Sequence, residues 1–506
     1  MTRARIPFII VVIALLAAGF VVERDHQTEV ASAPDLGVAR HAPMTVSPDA
    51  LGSTWYCAAG SSDEEGVADH TVVIANPADR ELRAELTAFP GQADPVSVVI
   101  EVPANSIERV LVNEVVAAPA TAVMVEADGG ELAVTHDLEG PLGRDGGPCA
   151  SASSDIWHFA WGDTSRDVRS LMVLFNPFPG DAVVDFSFVT IDGPREPRAL
   201  TGVVVPGRSV VVVDVGAEVA RRDQVSTTVT ARTGRVVAER LQTFDDTEEM
   251  LEGADPRRGL TVDLGVPVPA EVWVHPSVRL AEGLVETIVV YNPGSATAEV
   301  DVEVLLGDRG LGGVEPFELS VPPNRYETVD LTDQPRLVEH MDDGPVDATV
   351  IVRSLNDVAV VAERMTMVPT TANGPGVSAS VGMPVVGRHL VMVDPRPQGS
   401  EGVTATVVNL DPDRLVTGSI AVLSRGVERP LDGFEEFELA PGGRVTIDDL
   451  IDRVSGAGTS ILVIETSHPV AAGISGRVGD PPDRFAAVGI SRADDAELPP
   501  GLAFGS

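Results

Sequence analysis

The stretch Thr287-Ile-Val-Val-Tyr-Asn-Pro-Gly294 decides the fold, because it joins a β-strand signal to the signal that ends the strand. Valine and isoleucine favour strands. Proline cannot donate to a sheet ladder and disfavours a helical backbone in the residue before it. Asparagine can hydrogen-bond to the backbone that follows it and so shape a turn. We therefore predict a strand that stops at Asn292-Pro293, a backbone role that these asparagines fit better than sugar binding.

The same pattern recurs three more times along the chain. Copies occur at Thr71-Val-Val-Ile-Ala-Asn-Pro77 and Leu171-Met-Val-Leu-Phe-Asn-Pro177, with a divergent copy at Ala405-Thr-Val-Val-Asn-Leu-Asp-Pro412. The four asparagines follow one another at intervals of 100, 116 and 117 residues. The sequence therefore predicts four consecutive units, whose repeat-defining turns are Asn76-Pro77, Asn176-Pro177, Asn292-Pro293 and Asn409.

Each unit reads as a set of short strands separated by turn residues. In the second unit about seven apolar or alternating runs fit into roughly 115 residues, which is typical of an antiparallel β-sandwich. A short helical segment follows a polar residue that could cap it, at Asn113, Asp214, Asp330 and Asp449. A last strand is marked by Val237-Ala-Glu-Arg240 and Val361-Ala-Glu-Arg364, which we align with Val134-Thr-His-Asp137 and Val470-Ala-Ala-Gly473.

The predicted fold class is all-β, with tandem immunoglobulin-like β-sandwich domains behind a single N-terminal transmembrane helix. The expected segments are a signal-anchor or signal peptide (1–22), a flexible stalk (23–50), four sandwiches (51–150, 151–268, 269–385 and 386–497) and a tail (498–506).

The amino terminus predicts export. Arg3 and Arg5 precede an apolar run from Ile6 to Val22, the layout shared by membrane anchors and secretory signal peptides. As an anchor, the run would leave a single-pass protein with the bulk of the chain outside the cell. If the run were cleaved, at Ala17-Ala18-Gly19 or Ala31-Ser32-Ala33, the protein would be secreted.

The two cysteines agree with the predicted export of the protein. Cys57 stands at the start of the first unit and Cys149 at its end. Exported proteins form disulfides in oxidising compartments, whereas a Cys-x-x-Cys redox motif is absent from the sequence. We predict a Cys57–Cys149 disulfide, with two free thiols as the alternative.

The tryptophans have two interpretations. Trp55, Trp157 and Trp273 each stand 19 to 21 residues before the turn asparagine of their unit. As core residues they would close each sandwich, since aromatic side chains dominate core energetics. As exposed platforms they would stack on sugars, which would make the chain an array of carbohydrate-binding modules.

Composition and motifs argue against several function classes. The chain has a net charge of −40, which disfavours a nucleic-acid or anionic-membrane binder. No His-Glu-x-x-His, Gly-x-Ser-x-Gly or phosphate-binding loop occurs in the sequence. The acidic stretches at 245–249 and 342–343 lack the ligand spacing of an EF-hand. We therefore expect no enzyme activity, no catalytic residues, no metal site and no cofactor.

The apolar leader, the Trp55-Tyr56-Cys57 start and the valine-rich units with Asn-Pro turns together resemble an uncharacterised family of exported actinobacterial proteins, a domain of unknown function. The resemblance covers most of residues 50 to 490 and implies an envelope location. It lends no catalytic residue.

These observations lead to a functional hypothesis. We expect a non-enzymatic extracytoplasmic cell-envelope protein, a membrane-tethered array of sandwiches that acts as a structural spacer or interaction scaffold. The expected partner is an envelope protein or a cell-wall polysaccharide, the membrane is contacted through the N-terminal helix only, and nucleic acid is excluded. The alternative is a carbohydrate-binding module array that recognises cell-wall glycan.

Overall fold

The computed structural model describes residues 42–91, 93–245, 257–307, 314–342, 344–368, 376–394, 400–448, 450–454, 460–478 and 483–500. The predicted leader, most of the predicted stalk, residues 246–249 of the first acidic stretch, Asp343, Asp449 and residues 501–506 lie outside these ranges. In the described part of the chain, no helix has the length and apolarity needed to cross a membrane.

The prediction of a nearly all-β protein is confirmed. A two-residue strand, β1 (Met44–Thr45), precedes four groups of strands that we call modules one to four. Module one contains β2 (Ser53–Cys57), β3 (Asp69–Asn76), β4 (Leu82–Phe89), β5 (Val96–Val102), β6 (Ser106–Leu111), β7 (Ala122–Ala127), β8 (Ala133–Gly140) and β9 (Gly143–Pro148). Module two contains β10 (Ile156–Phe159), β11 (Val168–Asn176), β12 (Ala182–Thr190), β13 (Gly193–Arg195), β14 (Val203–Val205), β15 (Ser209–Asp214), β16 (Ser226–Thr233), β17 (Val237–Asp245) and β18 (Arg258–Leu264).

The other two modules follow the same order. Module three contains β19 (Val272–Leu280), β20 (Val285–Asn292), β21 (Ala298–Leu306), β22 (Phe317–Val321), β23 (Arg325–Asp330), β24 (Val346–Ser354), β25 (Val361–Val368) and β26 (Gly376–Val381). Module four contains β27 (Gly387–Val393), β28 (Ser400–Val408), β29 (Val416–Ser424), β30 (Val427–Pro430), β31 (Phe437–Leu439), β32 (Arg444–Ile447), β33 (Ile461–Val478), β34 (Asp483–Val488) and β35 (Ile490–Arg492).

Each module consists of two antiparallel sheets. In module one the strand orders are β2-β7-β4-β5 and β6-β3-β8-β9, and module three repeats both as β19-β24-β21-β22 and β23-β20-β25-β26. Module two adds β14 beside β12, and in module four the long strand β33 pairs with strands of both sheets. The sheets enclose a shared core, in which Trp55 and Leu86 of one sheet lie in the same cluster as Val72 and Ile74 of the other.

In each module, one strand that the sequence did not predict follows the last predicted strand. These strands are β9, β18, β26 and β34, which we call the inner strands, and each pairs with the strand before it. The sequence of β9, Gly143-Arg-Asp-Gly-Gly-Pro148, is rich in glycine and so carries little strand propensity of its own. Tertiary pairing determines the conformation of this strand.

The helical segments are shorter than predicted and the capping prediction is wrong where it can be checked. The structure has 3-10 turns at Val112–Glu114, Arg198–Leu200 and Val215–Ala217, and helices α1 (Pro335–Met341) and α2 (Leu450–Arg453). Asn113 lies inside its turn, and the Asp214 side chain makes no capping hydrogen bond. Asp330 instead binds the backbone N–H and hydroxyl of Thr332, which fixes the approach to α1.

The four modules close into a ring. The inner strands pack against one another in the order β9, β18, β26, β34 and back to β9. Module four also packs against the core of module one, where Val391, Leu423 and Ile490 join the cluster around Trp55. Strand β1 completes the closure, because it precedes module one in sequence but pairs in parallel with β35.

The sequence predicted tandem modules but did not predict that they form a ring. Periodicity reveals how many units a chain contains, but it does not report which surfaces those units bury against each other. Here hydrophobic clusters run from module one into module two, from two into three and from three into four. The modules therefore share hydrophobic cores and are not structurally independent domains.

Candidate functional site

The turn asparagines connect the two sheets of each module. Asn292 is fully buried at the end of β20, and its Nδ2 donates to the carbonyl oxygens of Ala296 at 2.8 Å and Val321 at 2.8 Å. Its Oδ1 accepts from the N–H of Gly294 at 2.9 Å. Val321 ends a strand of the opposite sheet, so one side chain holds the turn and joins the sheets.

The other three asparagines repeat this bonding. Asn76 bonds to Arg80, Val102 and Ala78, and Asn176 bonds to Gly180, Val205 and Phe178. In the divergent fourth unit, Asn409 bonds to Arg414, Ala440 and Asp411. These side chains are buried and occupied with backbone, which agrees with a turn role and leaves no exposed amide for a sugar.

The predicted disulfide is confirmed: Cys57 at the end of β2 is bonded to Cys149 just after β9. The strand pairing places Phe159 and His275 at the positions equivalent to Cys57, and Gly265 and Gly382 at those equivalent to Cys149. A Cβ on Gly265 would come within 2.6 Å of the Phe159 ring. Module one fills this space with a disulfide. Modules two and three fill the equivalent space with a large side chain that packs against a glycine.

A second set of equivalent positions lies where the core of one module meets the next module. Four residues before each turn asparagine, the Asn-Pro strand pairs with His136, Arg240, Arg364 or Ile474 of its neighbour. The residue beside each of these is Thr135, Glu239, Glu363 or Gly473. The alignment made from the sequence was therefore one residue out for modules one and four, because His136, not Asp137, is equivalent to Arg240.

Buried carboxylates fasten one module to the one before it. Glu363 of module three accepts from the backbone N–H groups of Ala160 at 2.9 Å and Trp161 at 2.8 Å in module two. At the equivalent position, Glu239 of module two accepts from Ala59 of module one at 2.6 Å. Neighbouring residues of a strand point to opposite faces, so each glutamate can reach outward while the residue after it faces the core of its own module.

Arg240 forms ion pairs with two buried carboxylates, Asp263 and Glu363. It is buried and lies 3.0 Å from Asp263 on the adjacent strand and 2.9 Å from Glu363 of the next module. Arg240 therefore forms one ion pair within its own module and a second ion pair with the next module. Burial raises the pKa of Asp263 to about 6, with the nearby Glu363 adding to the rise and Arg240 opposing it.

Module one replaces these charges with two imidazoles. His70 and His136 are buried on neighbouring strands, with His136 Nδ1 3.2 Å from His70 Nε2. His136 Nε2 also lies 3.7 Å from Glu239 Oε2 of module two. Burial lowers the pKa of His70 to about 3 and of His136 to about 4, and it raises the pKa of Glu239 to about 8. These shifts favour the neutral form of all three groups at pH 7.

The imidazoles lie beside the disulfide. One ligand atom from each of Cys57, His70 and His136 falls within 4.8 Å of the others, and this group is the one candidate metal cluster found among the described residues. In the disulfide form the Cys57 sulfur is not a thiolate, so this form offers a metal ion two imidazoles only. The expectation that the chain has no metal ligands did not foresee this cluster, because the histidines are 66 residues apart and form no local motif.

The inner strands surround a cavity of about 120 Å³ at the centre of the ring. Gly147, Asp263, Ser380 and Ala487 line it from equivalent positions, one per module. Apolar side chains and glycines make up most of the wall, and the Asp263 carboxylate is bound to Arg240.

The core interpretation of the tryptophans is confirmed. Trp55, Trp157 and Trp273 are at most 1% exposed, and the fourth, Trp161, is 3% exposed. The indole N–H groups of Trp157 and Trp273 donate to the carbonyls of Val236 and Val360. No tryptophan of the chain therefore presents a stacking surface for a sugar.

Comparisons with solved structures give weak similarities. Thermotoga maritima 1070 is 17% identical over 23% of this chain and 94% of its own, with a TM-score of 0.19. A Streptomyces avermitilis α-L-rhamnosidase bound to L-rhamnose is 11% identical over 70% and 44%, with a TM-score of 0.15. A tetra-tandem repeat of a large adhesion protein is 10% identical over 87% and 100%, with a TM-score of 0.10. Similarities at this level carry no argument about fold or function.

No curated protein matches the chain. A family model does match, over residues 135–427, from β8 of module one to the start of β30 in module four. The match spans more than half of the 506 residues and includes all of modules two and three, with Glu239, Arg240 and Glu363. The chain therefore belongs to the Family of unknown function (DUF5719).

Proposed function

We propose that this protein is a non-enzymatic cell-envelope protein whose four modules are immunoglobulin-like β-sandwiches, closed into a ring that serves as an interaction scaffold outside the membrane. The observation that carries the proposal is the use of the buried polar groups. Glu239, Arg240 and Glu363 bond across module boundaries and to backbone, which are structural tasks. Closure of the ring would hold the outer loops of the four modules in fixed relative positions.

Two features support the proposed extracytoplasmic location. Arg3, Arg5 and the apolar run Ile6–Val22 have the layout of an anchor or a signal peptide. The Cys57–Cys149 disulfide is of the kind that persists in oxidising compartments. An anchored chain would expose the ring outside the cell, and a cleaved one would release it.

The scaffold role is favoured over that of a spacer. A spacer gains reach from modules laid end to end, but here module four returns to module one through β1 and β35. The net charge of −40 makes an envelope protein with a basic face the expected partner. Recognition of cell-wall glycan remains the alternative, but it has lost the exposed tryptophans on which it depended.

Two measurements test the proposal. Protease added to intact cells of the source organism should cleave the ring, while a cytoplasmic marker stays whole; protection of the ring would place it inside and overturn the location. For the role, the purified protein should cross-link to an envelope protein in a complex that weakens as ionic strength rises. Retention on wall polysaccharide that survives high salt would instead favour the glycan-binding alternative.

A further inference from the structure

The pair formed by His70 and His136 is the exception among the four modules. The equivalent pairs are Ser170 with Arg240, Glu286 with Arg364, and Val403 with Ile474. In module three the pair is an ion pair with a distance of 2.9 Å, and in module four it is apolar. In the described structure, module one alone places two imidazoles in contact, with an angle of 67° between their rings, next to the disulfide.

The hydrogen bonds of the two imidazoles determine which nitrogens carry protons. His70 Nδ1 lies 3.2 Å from the carbonyl oxygen of Thr121, which can only accept, so Nδ1 is the protonated nitrogen. His136 is hydrogen-bonded to the backbone of Ala59, whose N–H is already donated to Glu239. The Ala59 carbonyl is thus the acceptor, and His136 Nε2, the nitrogen that does not face His70, is the donor.

Two unprotonated nitrogens therefore face each other. His70 Nε2 and His136 Nδ1 are 3.2 Å apart, and neutral imidazoles of these tautomers direct a lone pair from each atom into the same space. This arrangement is unfavourable unless a cation lies between the nitrogens. Histidines that bind metals show the same pattern, with the remaining ring N–H donated to a backbone carbonyl or a carboxylate.

The spacing and the donor set also fit a metal ion. Two imidazole nitrogens at the usual Zn–N distance in a tetrahedral site are about 3.3 Å apart. Cys57 Sγ lies within 4.8 Å of one ring nitrogen of each imidazole, and Cys149 Sγ is its bonded neighbour. Two thiolates would neutralise a divalent ion, so a buried Cys2His2 site would carry no net charge into the core.

We propose that Cys57, Cys149, His70 and His136 form a tetrahedral site for a zinc-type divalent ion when the two cysteines are reduced. The disulfide and the metal ion are then alternative ways of linking Cys57 and Cys149 within one cage, by which we mean the space enclosed by Cys57, Cys149, His70 and His136. Reduction by a dithiol breaks the S–S bond, delivers two electrons and two protons to the sulfurs, and leaves the reductant as its own disulfide. Metal binding then releases the two thiol protons.

The site would tie together parts of module one that only the disulfide joins covalently. His70 is on β3, His136 is on β8, Cys57 ends β2, and Cys149 follows β9. Gly60 packs directly against the His70 ring, since a Cβ there would come within 2.4 Å of it. The cage is therefore held in place from the backbone before any ion arrives, and a newly made chain could fold on metal before its cysteines are oxidised.

The test uses the full chain and Co²⁺ as the probe for a zinc-type site. The protein is reduced in denaturant with a water-soluble phosphine, which becomes its oxide by taking oxygen from water, and is then refolded anaerobically. One equivalent of Co²⁺ should bind with the visible bands of a tetrahedral ion and a thiolate-to-metal absorption. The oxidised protein should show neither signal.

Variants identify the ligands. His70→Ala and His136→Ala should each weaken Co²⁺ binding by at least about tenfold to a hundredfold, the loss that removal of even an outer-shell partner causes. His389→Ala is the control, because that imidazole lies 3.3 Å from Glu465 on module four, away from the cage. Cys149→Ala, which frees Cys57 without any reductant, should bind Co²⁺ through a single thiolate.

The emission of the four buried tryptophans reports folding in each sample. Binding to a natively folded reduced chain, or recovery of native emission on adding Co²⁺, supports the site. The proposal is overturned if the reduced chain shows native emission without binding the ion, or fails to recover it with the ion. An octahedral, oxygen-type spectrum, or binding that His70→Ala and His136→Ala leave unchanged, would also overturn it.

Discussion

At the scale of single residues, the turn asparagines show how one side chain can fix a repeated fold. Asn292 joins a strand end in one sheet to Val321 in the other. We expect Asn292→Ala to lower the free energy of unfolding by about 1–3 kcal/mol, because Val321 would lose its buried partner. Urea unfolding would measure the change.

Asn356 offers a matched control in the same module. Its amide also bonds to backbone, at Thr297 and Glu299, but the residue is exposed, so water can replace the bonds. Asn356→Ala should change stability by no more than about 0.5 kcal/mol. Equal losses for the two variants would count against the role assigned to burial.

The buried Glu239 makes a prediction about pH. Burial raises its pKa from 4.5 to about 8, so between these values the folded chain holds a proton that the unfolded chain has lost. This group's contribution to stability is therefore complete below about pH 4.5 and is lost as the pH rises towards 8. In Glu239→Gln the amide oxygen can still accept a hydrogen bond from the Ala59 N–H. The glutamine side chain does not titrate, so this pH dependence disappears.

The stability difference between the variant and the wild type should accordingly grow in favour of Glu239→Gln from pH 5 to pH 8, by up to about 1.4 kcal/mol per pH unit. Urea unfolding at a series of pH values measures this difference, in which the other titrations cancel. A flat difference for Glu239→Gln would mean that the pKa of Glu239 in the folded protein is not raised.

At the scale of strands and their links, the disulfide joins β2 to the segment after β9. It connects residues 92 apart in sequence. Replacing both cysteines, as Cys57→Ala with Cys149→Ala, should lower the free energy of unfolding by about 4–5 kcal/mol if the effect is chain entropy. Thermal and urea unfolding with a chelator present would measure the loss without any contribution from metal.

The same elements show what the sequence could and could not predict. The Asn-Pro strands were found because their signal is local, an apolar run next to a turn residue. The inner strands were missed because glycine-rich segments such as Gly143–Pro148 become strands only through pairing. The His70–His136 pair was missed for a related reason, since residues on neighbouring strands meet through the register and not through any spacing in the chain. A recurring Gly-x-Pro after the inner strands, at Gly265 and Gly382, was the one overlooked local signal.

At the scale of the whole molecule, the junction of modules four and one decides whether the ring stays closed. Arg109 of module one pairs with Asp394 of module four and with Asp137 of its own module. We expect Arg109→Ala to destabilise the junction by about 1–3 kcal/mol, because Asp394 is buried and would lose an ionic partner.

Hydrogen exchange would localise the effect. Amides of β1 and β35 should exchange faster in Arg109→Ala, while those of β26 at the junction of modules two and three should not change. Arg232→Ala serves as the control, since it breaks a mostly exposed pair with Asp185 within module two. Faster exchange in all modules alike would show that the ring opens as a single unit and not at one junction.

Ring closure by β1 also has a consequence for biosynthesis. Met44–Thr45 is translated long before its partner Ile490–Arg492, because all four modules lie between them in the sequence. Until module four has been made, the core cluster around Trp55 lacks Val391, Leu423 and Ile490, which complete it in the folded protein. A prematurely terminated polypeptide would leave this apolar surface exposed to solvent, so quality-control proteases and chaperones could distinguish it from the folded protein.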